Sequence, residues 1–464
     1  MKAFFRAIDH FFFGRITATG FGLMRIAWAA TSAAWLLMQW QDIVFYYSGD
    51  GMIAPTELGY YVRQDHWFSI LAWVTDGRAV FALYLLLLLL LFCSMVGVWS
   101  RWTTILAIVL SFSFQERNTL PLAGGETVLR LIGFLLLLSP CIRAVSLDRV
   151  REQWRQWKTT RTLLPPLMMP AWPMRLLLWQ LIVLYTAAFW YKLLGTMWVQ
   201  GTAIVATLHH PIFVRFPERI INLLVPLTPL MDRLSLVWQG MWIFLLLPRS
   251  LFMRFRWLGN LRKFSFKRFL LFGGVLFHGA IFLLMDAGSF SIAVFSAYIG
   301  TLIDEDFAKF RRFLNRWRSK ARKITVLYDG HCGLCLRSTL WLAMLDPLSR
   351  LTLVDFRDTA ERKHHAPNFT VQALEKAMHV IVSDREQKTE GRKTAFTHRA
   401  SAGKQNAERT YKGFDGFRVL AWHLPALWGL VLFLYVPGIP FVGRKLYARI
   451  AARRKRCTHG ACTL

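Results

Sequence analysis

Acidic side chains are scarce in this sequence. Its 27 Asp and Glu stand against 57 Lys and Arg, leaving a formal net charge of +30 over 464 residues. Cysteine is scarce as well. Six are spread along the chain, too few and too scattered for the disulfide framework of a small secreted protein. The positive charge comes without a zinc-finger, RNP or KH signature and is not gathered on one soluble module, so no nucleic-acid partner is expected. The opening MKAFFRAIDHFFFGR is broken by Arg6, Asp9 and Arg15 and lacks a small-residue cleavage site. That argues against a cleavable signal and leaves two readings, an amphipathic segment on a membrane surface or a basic flank.

What the chain has in excess is apolar residues. They make up 55% of it, with 20 Trp and a mean hydropathy of +0.35. Apolar stretches fall at about 16–40, 79–99, 102–114, 127–145, 174–194, 234–248, 269–285 and 288–303. A full span takes ~20 residues, and the pattern predicts about eight spans. Lys and Arg gather in segments 1–15, 143–161, 249–268 and 311–323, with Arg101 in a short turn. With eight spans all five fall on one side, and the positive-inside rule makes that side, with both termini, cytoplasmic in a bacterial inner membrane. The Pro-rich stretch 195–233 is expected to hold interfacial or re-entrant helices.

After a basic linker at 311–322 the pattern changes. ITVLYD, LTLVDF and MHVIVSD read as strands, and 336–345 and 371–378 read as helices, the α/β pattern of a soluble domain. The expected division is a membrane domain at 1–310, the linker at 311–322, an α/β domain at 323–456 and a tail at 457–464 carrying Cys457 and Cys462. Apolar residues recur at 419–441, but Pro425, Pro437 and Pro440 interrupt them, which predicts packed helices against the domain or the membrane surface rather than another span.

VLYDGHCGLC at 326–335 carries the first chemistry. The strand delivers Cys332 to the start of a helix near Gly333, where the helix dipole and unsatisfied backbone N–H groups favour a thiolate. Cys335, one turn on, can attack a mixed disulfide formed at Cys332. Half of a zinc site, completed by Cys457, His459 and Cys462, and two incidental thiols are the alternatives. Asp329 is either a buried carboxylate aiding proton transfer or the turn residue before Gly330.

Ionisable residues in the apolar stretches form the second group. Arg25 lies in the first, Glu126 and Arg130 are spaced to pair on one helix face, His278 and Asp286 fall on the seventh, and Lys192 ends WQLIVLYTAAFWYK. Each has a structural alternative: an ion pair for Glu126–Arg130, a bond to a neighbouring helix for His278, a snorkelling side chain for Lys192.

The sequence resembles two known families. DGHCGLC at 329–335 fits the D-x-x-C-x-x-C signature of the DCC family of thiol–disulfide oxidoreductases, and MHV at 378–380, GFDGFRVLAWHLP at 413–425 and VPGIPFVGRKLYARIAARR at 436–454 match further features. The resemblance, over about 323–456, implies a thioredoxin-like fold with Cys332 as nucleophile and Cys335 as resolving thiol. It departs from thioredoxin proper, because Ala377 and Met378 precede the strand where a cis-proline is found there. LYTAAFWYKLLGTMWVQGTAI at 184–204 resembles the active-site lysine segment of vitamin K-dependent γ-carboxylases and, more broadly, the bacterial HTTM membrane domain. That resemblance, over about 10–305, implies that Lys192 is a base acting on a quinone or lipid. Gly124, Gly125 and Glu126 stand where the carboxylases have a catalytic histidine, so γ-glutamyl carboxylation is not expected.

The expectation is therefore a polytopic α-helical membrane domain followed by an α/β thioredoxin-like domain. The expected activity is thiol–disulfide exchange by Cys332 and Cys335, with Asp329 and Lys192 as further candidates. The expected partners are the lipid bilayer and a disulfide-containing protein or small thiol. A quinone is the candidate cofactor, and no metal is expected. The competing reading is a transporter or lipid-binding protein whose dithiol senses redox state.

Overall fold

The computed structural model describes residues 2–54, 69–139, 143–246, 265–317, 323–367, 369–383 and 409–452. Cys141, Cys457, His459, Cys462 and most of the basic segment 249–268 lie outside them. The chain divides into two compact units. One is Met1–Arg149 with Pro166–Asp304, and the other is Val150–Pro165 with Glu305–Leu464.

Among its described residues the first unit is mostly helical, with a short antiparallel pair, Arg15–Thr17 with Met168–Pro170, and an isolated bridge between Val214 and Met285. Each of the eight apolar stretches carries helix. Among the described residues, five helices are long and apolar enough to cross a membrane: Thr19–Met38, Gly77–Val96, Trp172–Leu194, Glu218–Leu246 and Phe266–Leu284. The other three stretches form Ser100–Arg117, Gly124–Leu138 and Phe290–Gly300. Residues 195–217 hold the short helices Thr196–Gln200 and Ala203–His209, and Glu218–Leu246 is built of consecutive helical pieces, Glu218–Leu224, Val225–Leu227, Thr228–Gly240 and Met241–Leu246.

The ionisable residues of this unit are mostly spent on structure. Arg25 is fully buried and donates to the carbonyls of Ser94, Ala144 and Val145. Glu126 and Arg130 do not pair. Glu126 sits in the first turn of Gly124–Leu138, where its carboxylate accepts the Ala123 N–H at 2.7 Å and the Ser289 hydroxyl at 2.6 Å. An acid there satisfies a donor that the helix itself cannot. Arg130 is left to bond Gln115 and Glu116. His278 is buried and bonds the Tyr185 hydroxyl at 2.7 Å. Asp286 falls beyond the end of Phe266–Leu284 and lies 3.8 Å from Arg215.

In the second unit the elements are labelled in chain order. The strands are β1 (Lys323–Tyr328), β2 (Leu351–Asp355), β3 (His379–Ser383) and β4 (Arg409–Lys412). The helices used below are α1 (Gly333–Met344), α2 (Thr359–His365), α3 (Val371–Lys376), α4 (Gly413–His423), α5 (Trp428–Leu434) and α6 (Ile439–Ala452). The sheet order is β2-β1-β3-β4, with β2 parallel to β1 and the other neighbours antiparallel. Period-two alternation gives the sheet two apolar faces. Ile324, Val326, Val380 and Val382 pack with Leu420, Leu424 and Leu427, while Leu327 and Ile381 pack with Val354, Phe356 and Leu374 on the other face. The basic stretch 311–322 is helical as far as Trp317.

Register decides what meets at one end of the sheet. Tyr328 pairs with Asp355, Leu327 with His379, and His379 with Lys412. The turn after β1, the turn after β2, the entry to β3 and the exit of β4 therefore converge on one edge.

Candidate dithiol site

Cys332 is the N-cap of α1. Its backbone is extended, and its sulfur accepts the Cys335 N–H at 3.4 Å. Gly330 bends the chain sharply, and its N–H donates to the Asp355 carboxylate at 2.9 Å. A Cβ on Gly330 would overlap that carboxylate, so the approach requires glycine. Cys332 and Cys335 are thiols, 6% and 8% exposed, so a partner must come to them through a pocket.

Asp329 fixes the turn. Its carboxylate accepts the His331 N–H at 3.0 Å and both Nε and Nη2 of Arg357 at 3.0 Å. Burial alone would raise its pKa, but the Arg357 bonds, the His331 N–H and the Arg357 charge outweigh it and hold the carboxyl below its ordinary value. Arg357 also reaches Glu375 at 2.8 Å, and its own backbone N–H donates to Asp355 at 3.0 Å. The fork-to-fork pair ties the turn after β1 to the turn after β2.

Two cavities flank the dithiol. One, of about 710 Å³, is bordered by Cys332 and charged groups of both signs, among them Arg357, Glu375, Lys412 and Asp415. The other, of about 490 Å³, is bordered by Cys335 and by apolar side chains such as Leu342, Leu374, Phe417 and Leu446. Asp329, Ala377, Phe414 and Tyr447 border both. Ala377 is extended, and its carbonyl accepts from His379 Nδ1 at 2.8 Å, while the Tyr447 hydroxyl accepts the Met378 N–H at 3.0 Å. Burial lowers the His379 pKa and outweighs the Ala377 carbonyl bond, which raises it.

Val150–Pro165 completes the surroundings. Trp154 packs against the cluster of Tyr328, Cys332, Cys335 and Leu336, and the Arg337 guanidinium lies 5.4 Å from its ring. Arg161 donates to the Gly330 carbonyl at 3.3 Å. Trp154 lies on the helix Leu147–Thr160, and Arg161 follows its last residue.

Residues 326–459 match the family model of the DCC1-like thiol-disulfide oxidoreductases. Neither the curated proteins nor the solved structures hold a match to the chain. The chain thus carries a DCC1-like domain behind a mostly helical region with several apolar helices.

Of the residues singled out from sequence, Cys332, Cys335 and Asp329 come together in the DCC1-like domain. Lys192 lies in the other unit, with Nζ 3.1 Å from Ser235 Oγ and 3.7 Å from the Trp198 ring centre. Sequence reasoning missed Arg357, Glu375, Trp154 and Tyr447. The only local signal was for Arg357, which follows the strand LTLVDF at the end where parallel strands place their functional loops. Among the described residues no three His, Cys, Asp or Glu side chains gather as a metal site.

Proposed function

We propose that this protein is a membrane-bound thiol–disulfide oxidoreductase of thioredoxin-like fold, with Cys332 as nucleophile and Cys335 as resolving thiol. The observation that carries it is the Cys332 sulfur at the helix N-cap, accepting the Cys335 N–H. An anionic sulfur gains there from the helix dipole and from a charge-assisted bond. The sheet order and the helix rising directly from β1 support the fold assignment.

In the proposed cycle the Cys332 thiolate attacks a substrate disulfide entering through the charged cavity. One substrate sulfur leaves as thiolate and takes up a proton. The Cys335 thiolate then attacks the Cys332 sulfur, releasing the second substrate thiol and closing the Cys332–Cys335 disulfide. Two electrons have passed to the substrate, and two external thiols, or one dithiol, return them and leave as a disulfide. Asp329 and Arg357 act as positioning residues that hold the turn under the attacking sulfur. Exchange of Cys332 for Ser abolishes disulfide reduction by the full-length protein, whereas Cys335→Ser accumulates a mixed disulfide at Cys332. Full activity in Cys332→Ser would sink the assignment.

We further propose that the DCC1-like domain faces the cytoplasm. The unit that contains it includes Val150–Pro165, taken from the Arg-rich segment that the positive-inside rule places inside. Domain and segment then share a side whatever the number of spans before residue 150, and an even number must lie between 166 and 304, which requires the short Phe290–Gly300 to cross together with the three longer helices there. The HTTM-like reading of the first unit, with Lys192 acting on a quinone or lipid, is a separate proposal. It predicts that Lys192→Ala abolishes reoxidation of the dithiol by an added quinone while direct reduction of a disulfide continues.

A further inference from the structure

Helices α5 and α6 form an apolar surface that the redox reading does not use. Leu432 is 84% exposed, Phe433 60%, Phe441 62% and Val442 59%. Soluble proteins seldom leave such a run of large apolar groups uncovered. The segment is not one straight membrane-length helix. The chain bends by 108° between α4 and the helical stretch Pro425–Leu434, and α6 is 14 residues long where a span takes ~20. Val442, Leu446 and Ile450 form an exposed apolar row at i, i+4 spacing along α6. Beside it runs the row Phe441, Lys445, Arg449, with Lys445 Nζ 4.3 Å from the Phe441 ring centre. The sequence continues RRKR at 453–456. An apolar face edged by cations is complementary to an anionic lipid surface, with the long stems of Lys and Arg reaching the headgroups.

Leu446 and Ile450 also border the apolar cavity beside Cys335, and they are 56% and 43% exposed, so the cavity opens along the same row. Its volume of about 490 Å³ is in the range of ligand pockets. We infer that α5 and α6 seat in the lipid–water interface of an anionic bilayer and that the cavity beside Cys335 takes an acyl chain from that side. The inference rests on the membrane reading of the chain and not on the redox chemistry.

The test uses the full-length protein in phosphatidylcholine–phosphatidylglycerol vesicles that contain a phospholipid with a diazirine in its acyl chain. After irradiation, adducts are mapped by peptide mass spectrometry. Trp172–Leu194 is the labelled reference and α2 the unlabelled one. The expected result is adducts on 428–450 and on Leu342 or Leu374, two buried side chains of the cavity wall. Replacing the exposed Leu432 and Phe433 together with Glu lowers the 428–450 adducts about threefold or more and leaves those on the reference helix unchanged. A labelled reference with unlabelled 428–450 overturns the seating, and the face then belongs to a second copy or another protein. Adducts on 428–450 without any on Leu342 or Leu374 overturn the acyl-chain assignment. An unlabelled reference counts against the membrane reading itself.

Discussion

At the residue scale the site is organised around the Asp329 carboxylate, which Arg357 and the His331 N–H hold below its ordinary pKa. Asp329 accepts two hydrogen bonds from Arg357, and the pair is more than two-thirds buried on both sides. Its depressed pKa fixes the sign of a pH effect. The stabilisation is fully present above the unfolded carboxyl value of ~3.9 and is lost as pH falls through the lower folded value. Arg357→Gln therefore costs about 1–3 kcal/mol at neutral pH, measured by denaturant unfolding, and less as the pH falls below the unfolded carboxyl value of ~3.9. An equal cost at neutral and at acid pH would show that the ion pair is not its source. The same variant slows disulfide reduction without abolishing it, because Cys332 remains at the helix N-cap. These contacts were not legible in the sequence. Asp329 and Arg357 lie 28 residues apart, and only the parallel register of β1 and β2 brings them together.

At the scale of elements, local pattern and long-range packing part company. The runs ITVLYD, LTLVDF and MHVIVSD fell within a residue or two of β1, β2 and β3, because alternation on a two-faced sheet is a local property. The dithiol was legible for the same reason, since strand, turn, cysteine and helix are consecutive. The short edge strand β4 was missed, as was α2. The i, i+4 spacing of Glu126 and Arg130 predicted a pair, but an acid in the first turn of a helix was claimed by the backbone donor ahead of it. Least legible was the helix that carries Trp154, which sequence placed in a cytoplasmic loop and the fold places against the dithiol. Trp154→Ala uncovers the sulfurs, so alkylation of Cys332 and Cys335 by a small neutral reagent accelerates about tenfold while α1 still forms. Unchanged alkylation would mean that Trp154 does not limit access.

At the scale of the whole molecule, the account joins a unit with five membrane-length helices among its described residues to a DCC1-like domain. An impermeant thiol reagent tests the orientation. In intact cells Cys332 and Cys335 stay unlabelled after mild reduction and become labelled on lysis. Labelling in intact cells would place the domain outside and require a different assignment of the spans. The claim that matters most is turnover. The direct measurement is the number of substrate disulfides reduced per molecule of full-length protein, with excess small thiol as reductant. The account predicts many reductions per dithiol, dependent on Cys332. A single reduction per dithiol, followed by arrest in the presence of reductant, would contradict it and make the Cys332–Cys335 pair a sensor.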